Sequence, residues 1–583
     1  MIKKIKYLII IQFILIGCNT DDYTANPPNI IIIYTDDLGY GDVSAYGKGT
    51  LNTPNIDKLA NEGIRFNNGY ATSATCTPSR YGLLTGNYPW RKEGLKISTG
   101  GSLVIDTTEM TIPKLLKIKG YHTGIIGKWH LGLGLGDGSE GTGMIDYNSN
   151  IYPGPNEVGF DFSHIMADTQ DRVPTVYIEN GNVLNLDPND PIEVNFFHQG
   201  INDDYGLPTG LKNPELTTMK WHHGHNGSII NGVPRIGFMR GGKSALWSDI
   251  DMADYFLKEA TEYIKRNKNN PFFLFYSLQQ PHVPRTPHPR FEGKSGMGPR
   301  GDVIIEADWC IGELYKTLEN EGILDNTLII FSSDNGPVLN DGYYDDAVEK
   351  LGDHTPSGGL RGGKYSLFEA GTKVPFISYW RGKINPGVSN ELISQVDLLN
   401  SISSIIGSEF KSNDGIDLSN LLLRNKGKGR DHLVVEASTR TAFRKAPLSL
   451  YETSRLYNKS TFFSVGLPLA RPAIFAGLAL VCMEVVSDFG TVEYFSLETL
   501  TLGIFNVWIG MNSITSAAQL SIITFIFVIS LLLIEIKSRA SSKFHDTSRR
   551  KTFVSLKKLS SQKSILCILI CLFPPFVGFI ILV

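Results

Sequence analysis

Between about residues 27 and 446, short apolar runs rich in Ile, Val and Phe alternate with amphipathic stretches. The runs in "NIIIIYTDD", "YHTGIIGKWH", "FFLFYSLQQPH" and "TLIIFSSDNG" are too short for core helices and rich in β-branched or aromatic residues, so they predict buried strands. "DIDMADYFLKEATEYIKRN" (249–267) and "DVIIEADWCIGELYKTLENEG" (302–322) repeat apolar residues at helical spacing. Strands and helices in alternation predict an α/β fold, with a large mixed, mostly parallel sheet covered by helices.

Ligands of such folds bind at the carboxyl ends of strands. Each of the four runs ends in polar residues of ligand type: Asp36 and Asp37, Lys128 and His130, His282, and Asp334 with Asn335. Any one of these fits a turn or a satisfied structural residue. Four on one sheet edge point to a site. Asp36, Asp37, Asp334 and Asn335 are an all-oxygen set suited to a hard cation such as Ca²⁺ or Mg²⁺, and unlike the His and Cys sets of zinc. Arg80, Lys128, His130, His282 and Lys364 are donors that suit a tetrahedral oxyanion beside that metal.

Past residue 446 the pattern changes to apolar stretches at about 472–488, 517–536 and 564–583, which predict membrane spans. The linker 537–563 carries nine Lys or Arg against one Asp, which predicts a cytoplasmic segment. At the other end, the basic "MIKKIK" precedes an apolar run closing on "LIGC", the pattern of a bacterial lipoprotein signal (1–18) with Cys18 as the lipidated residue. That signal predicts an exported lipoprotein of the cell envelope, in the periplasm or on the outer membrane, whereas the C-terminal spans predict the inner membrane. The two ends imply opposite topologies for the middle, so either one apolar run does not span or the chain is a joined or frameshifted one, the second reading being favoured.

A net charge of -3 on 583 residues, 19% of them charged, gives no reason to expect nucleic acid as a partner. The six cysteines (Cys18, Cys76, Cys310, Cys482, Cys567 and Cys571) match neither a disulfide framework nor a zinc site. Cys310 falls in an amphipathic helix and reads as core. Cys76 stands among small and hydroxyl residues in "ATSATCTPSRYGLLTG", where Thr77 is expected as a helix N-cap and Pro78 as the first helical residue, placing the thiol at a helix N-terminus.

Cys76-Thr77-Pro78-Ser79-Arg80 resembles the C-x-P-x-R signature of the type I sulfatases, and "YTDDLGYGD", "GKWHLG", "PHVPR", "SSDNGP" and "LRGGKYSLFEAGTKVPF" follow in family order. The resemblance covers about residues 27–446. It implies an alkaline-phosphatase-like fold with a catalytic domain over 27–380 and a truncated C-terminal subdomain over 381–446. It also implies that a separate maturation enzyme oxidises Cys76 to formylglycine, whose hydrate attacks sulfur. By the family pattern Asp36, Asp37, Asp334, Asn335 and the modified Cys76 contact Ca²⁺, and Arg80 and Lys128 stabilise the nucleophile. His130 takes a proton from it, and Lys128, His282 and Lys364 contact the sulfate, with His282 protonating the leaving alcohol. The implied substrates are sulfated carbohydrates or aryl sulfates. The histidines of "WHHGHNG" (His222, His223 and His225) read either as sugar contacts or as loop caps.

Two other readings stay open on the residues alone. One is a phosphatase or phosphodiesterase of the same superfamily, which would use Ser or Thr and two zinc ions. The other is a membrane-transport component, because residues 467–520 resemble a fragment of an iron(III)-type ABC importer permease. On that resemblance 447–583 is a permease-like fragment with transmembrane helices.

Overall fold

The computed structural model describes residues 26–445 except 48, 93–94, 96–99, 137–144, 197–207, 223 and 438–439, together with parts of 500–529. The chain divides into two units, Met1–Ser449 and Leu450–Val583. In the first unit the predicted strands assemble into one ten-stranded sheet. Its strands are β1 (Asn29–Thr35), β2 (Ile64–Tyr70), β3 (His122–Lys128), β4 (Phe162–Met166), β5 (Tyr177–Glu179), β6 (Asn182–Val183), β7 (Phe272–Ser277), β8 (Thr327–Ser333), β9 (Phe376–Tyr379) and β10 (Gly387–Ser394). The spatial order is β10-β2-β9-β8-β1-β7-β3-β4-β5-β6.

The middle of this sheet, β8-β1-β7-β3-β4, is parallel throughout, with Ile31 registered against Leu274 on one side and Ile329 on the other. Toward both edges antiparallel pairs enter, through β9 and through β5 and β6. The continuous apolar runs have a direct cause: both faces of the central strands are covered. Ile30, Ile32 and Tyr34 point into one core with Leu83, Leu116 and Leu399, while Ile31 and Ile33 point into the other with Phe256, Ile304 and Leu314.

Helices cover both faces. α2 (Cys76–Thr85), α3 (Ile112–Ile118) and α6 (Leu398–Ile405) pack into the first core, and α1 (Pro54–Glu62), α4 (Met252–Asn267) and α5 (Gly298–Asn320) into the second. Cys310 lies buried on α5, as expected of a core thiol. Each fully buried Ile, Leu or Phe in these layers stabilises the fold by about 1.5–3 kcal/mol relative to exposure.

β10 falls within the segment assigned by sequence to the C-terminal subdomain, yet it pairs in parallel with β2 at the edge of the main sheet. Its polar alternation suits an edge, and only the long-range pairing shows which sheet it joins. A separate antiparallel hairpin, His432–Ala437 with Arg440–Lys445, follows. Glu436 of this hairpin accepts from the Ala74 N–H at 2.7 Å and donates to Thr72 O at 3.2 Å, so the hairpin braces the turn that leads into Cys76.

In the second unit Leu500–Phe505 is helical. No helix among the described residues is long and apolar enough to cross a membrane. The expected spans at 472–488 and 564–583, half of 517–536, the basic linker and the signal segment with Cys18 lie outside the described residues.

Candidate active site

The four parallel strands β8, β1, β7 and β3 are neighbours, so their carboxyl ends deliver the predicted residues to one place. α2 begins there. Its first residue is Cys76 with Thr75 as N-cap, so the helix starts two residues earlier than the sequence suggested. Pro78 is accommodated because N–H groups of the first helical turn have no intrahelical partner to lose. Every residue from Cys76 to Thr85 is buried. The nucleophile candidate therefore sits at a helix N-terminus, where backbone N–H groups and the helix dipole favour an anion.

The Cys76 thiol donates to Asp36 Oδ1 at 3.5 Å. Ligand atoms of Asp36, Asp37, Cys76 and Asp334 all lie within 4.8 Å of one another. Asp37 N–H donates to Asp334 Oδ1 at 3.2 Å, and Asn335 Nδ2 donates to Asp37 Oδ1 at 2.7 Å. Asn335 Oδ1 is buried with no hydrogen-bond partner among the described residues. A buried amide oxygen left unpaired is costly, and beside three carboxylates it is what an oxygen-ligated divalent cation would use. The residues present thus fit a hard cation.

Three cations enclose this acidic group. Arg80 donates from Nε and Nη2 to Asp334 Oδ2 at 3.0 and 2.9 Å, and from Nη1 to Ser277 Oγ at 2.6 Å. Lys128 pairs with Asp36 and lies 3.9 Å from Asp334. Lys364 Nζ donates to Asp37 Oδ2 and to Asp341 Oδ2, both at 2.9 Å. Gly127, just before Lys128, has φ +112, and a Cβ there would meet Ser277 O at 1.9 Å, so only glycine lets β3 and β7 converge under the site. His282 Nδ1 donates to Val283 O at 2.7 Å, which leaves Nε2 facing Asp37 at 3.9 Å. His130 holds a left-handed backbone (φ 54), and its carbonyl accepts from Thr77 Oγ1 at 2.8 Å, tying it to the start of α2.

The titration directions follow from this packing. Burial, then the facing Asp334, pushes Asp36 up to about 8. Against the burial that would raise it, Arg80 and Lys128 hold Asp334 below the usual carboxylate range. Burial, then Asp334, pushes the Cys76 thiol well up, so the unmodified sulfur stays protonated and is a poor nucleophile. Burial, then Lys128, pushes His130 well down, and burial, then Lys364, pushes His282 to about 4, so both imidazoles are neutral in the resting site.

All ten residues expected at the site converge on it: Asp36, Asp37, Cys76, Arg80, Lys128, His130, His282, Asp334, Asn335 and Lys364. Sequence reading missed those that support them. Asp42 is fully buried and accepts from Gly39 N, from both Nη atoms of Arg300 at 2.8 and 2.6 Å, and from His354 Nε2 at 2.9 Å. It thereby ties the loop carrying Asp36 and Asp37 to α5 and to the segment leading to Lys364. Asp341 and Ser277, also missed, hold Lys364 and Arg80. Of the three histidines at 222–225, His225 is buried against Asp171 at 2.9 Å, His222 bonds Asn340, and His223 lies outside the described residues. Among the described residues no group able to hold a metal includes His222 or His225.

The family model for sulfatases matches residues 28–408. The chain belongs to the sulfatase family. This sulfatase is 50% identical over 430 residues to an N-acetylgalactosamine-6-O-sulfatase of Bacteroides thetaiotaomicron, covering 72% of this chain and 82% of the relative. It is 34% identical over 414 residues to arylsulfatase A of Bos taurus, covering 70% of each. A solved structure from work on the metabolism of multiple glycosaminoglycans by Bacteroides thetaiotaomicron is 49% identical, with a TM-score of 0.69 over 72% of this chain and 86% of that one. The PsFucS1 sulfatase structure from Pseudoalteromonas sp. is 25% identical, with a TM-score of 0.54 over 79% and 92%. As a sulfatase the protein is a sulfuric ester hydrolase, and it carries residues able to hold a divalent metal.

Proposed function

We propose that this sulfatase hydrolyses sulfate esters of glycans, with 6-O-sulfated N-acetylgalactosamine as the first substrate, through formylglycine made from Cys76 and a Ca²⁺ ion. The observation that carries the reading is the placement of Cys76 at the buried start of α2, bonded to a carboxylate of the metal-capable group and ringed by Arg80, Lys128 and Lys364. The 50% identity to an N-acetylgalactosamine-6-O-sulfatase supports the sugar. Formylglycine at position 76 supplies an aldehyde that hydrates to an oxygen nucleophile, and Ca²⁺ held by Asp36, Asp37, Asp334 and Asn335 supplies Lewis-acid polarisation of a sulfate oxygen.

The chain's own residues do the rest. Lys128 and Lys364 face the anion, and Arg80, locked by Asp334 and Ser277, fixes positive charge beside position 76 without reorganisation. His130, neutral at rest, is suited to accept a proton at position 76. His282 has its Nδ1 proton committed to Val283 O, so Nε2 is the atom that hands a proton to the leaving alcohol. A sulfate ester arriving beside Nε2 favours the imidazolium, opposing the downward push of burial and Lys364. The phosphatase alternative is disfavoured by the all-oxygen donor set and by the absence of Ser or Thr at position 76.

The same reading places the mature protein in a bacterial cell envelope, lipidated on Cys18, with a formylglycine-generating enzyme as its partner before folding and no nucleic-acid partner. Residues 447–583, read as a permease-like fragment, take no part in the chemistry. Sulfate release from 6-O- and 4-O-sulfated N-acetylgalactosamine, 6-O-sulfated N-acetylglucosamine and an aryl sulfate tests the substrate. Fastest release from the first is expected, and equal rates on all four would remove the assignment to that sugar.

A further inference from the structure

We propose that Tyr365 is a specificity-determining residue, the aromatic wall against which the sugar bearing the sulfate packs. Resting on the sulfated-glycan reading above, the proposal starts from a backbone anomaly. Tyr365 has φ 67, a left-handed conformation in which a bulky side chain is a genuine outlier. Such strain persists only where the surroundings over-determine it, and it clusters at ligand clamps.

The ties are visible. Tyr365 N–H donates to Ala74 O at 2.8 Å, two residues before Cys76, and Lys364 N–H donates to Pro337 O at 2.9 Å. The Tyr365 hydroxyl donates to Asp341 at 3.2 Å, the carboxylate that also holds Lys364. These bonds fix the ring beside the ammonium, with Lys364 Nζ 5.2 Å from its centroid. Yet Tyr365 is 45% exposed, while Lys364 next to it is buried. Core packing therefore does not account for the conformation. What it achieves is an apolar face held rigidly at the mouth of a site whose floor is charged.

Sulfate itself needs only charges and N–H donors. A hexose attached to it presents a ring face of C–H groups as well as hydroxyls, and an immobilised tyrosine matches that face at little entropic cost. Covering about 50 Å² of the exposed ring, at ~25 cal/mol per Å² of apolar burial, corresponds to about eightfold in affinity. The competing role for Tyr365, orienting Asp341 through its hydroxyl, needs the oxygen and not the ring.

The test is calorimetric binding to the full chain with Ca²⁺ in the catalytically inert Cys76→Ala background, with Tyr365 intact or replaced by Ala or Phe. The probes are 6-O-sulfo-N-acetylgalactosamine and inorganic sulfate. Tyr365→Ala is expected to weaken the sugar sulfate five- to tenfold and leave inorganic sulfate unchanged, with Tyr365→Phe within twofold of the parent for both. Unchanged sugar affinity in Tyr365→Ala, equal weakening of both probes, or a Phe variant as weak as Ala each overturns the proposal. Failure of inorganic sulfate to bind with Tyr365 intact overturns the sulfatase-site reading, and this proposal with it.

Discussion

Replacing Asp42 by Asn tests the idea that a buried network outside the catalytic group holds that group in place. The Asp42 carboxylate is fully buried and accepts four hydrogen bonds, two of them in a bidentate pair with Arg300. Asn keeps the shape but turns one acceptor into an NH₂ that faces a donor, and it leaves the buried Arg300 guanidinium without its counter-charge. Removing one partner of a buried pair costs about 3–5 kcal/mol. Urea unfolding should show a loss of that size, and Asp42→Asn with Arg300→Met should cost less than the sum of the two single changes. Turnover should fall as well, because Gly41 N–H donates to Pro356 O at 2.8 Å and the two loops so joined carry Asp37 and Lys364. The pH dependence has a definite sign. Against burial, Arg300 and the His354 hydrogen bond hold Asp42 below the usual carboxylate range. Its contribution is therefore present above the unfolded-state pKa and lost as pH falls through the folded value, so wild type and variant should converge in acid. A loss under about 1 kcal/mol, or an additive double variant, would refute the reasoning.

Asp334→Ala should abolish calorimetric Ca²⁺ binding and destabilise the protein, since Arg80 loses both of its bonds to Oδ2; intact Ca²⁺ binding would overturn the ligand set. Glu306 is pushed up to about 7, chiefly by burial, so in wild type its contribution to stability declines as pH rises from about 4.5 to 7. Glu306→Gln should remove that decline and be more stable at pH 8, by up to about 3 kcal/mol. Once the Gln280 amide, whose Nε2 donates to Glu306 in the wild type, turns over, the new amide can donate to Gln280 Oε1, which has no hydrogen-bond partner among the described residues; a less stable variant at pH 8 would contradict this.

The chemistry-bearing part of the site was legible because strand ends announce themselves. A run such as "TLIIFSSDNG" gives the strand, its end and the ligand in ten residues, and parallel neighbours bring four such ends together. The start of α2 was misread by two residues because Pro78 fits the first helical position as well as the third. Asp42, Arg300 and His354 carried no such signal. They meet across more than 250 residues of sequence, and a lone Asp in "GYGD" reads as a turn. Asp341 and Tyr365 were missed likewise, since neither a loop carboxylate nor a left-handed tyrosine shows in a pattern of polar and apolar positions. The pairing of 387–394 with β2 carried no signal in the sequence either, because a short strand does not name its neighbour.

The central claim is that Cys76 is a precursor whose thiol is consumed before catalysis. The most direct measurement is mass spectrometry of the Cys76 peptide from protein co-expressed with a formylglycine-generating enzyme, alongside sulfate release by the same sample. The account predicts loss of sulfur at position 76, an aldehyde reactive toward a hydrazide, and turnover in proportion to its fraction. Full sulfate release from protein whose Cys76 is unmodified would contradict it.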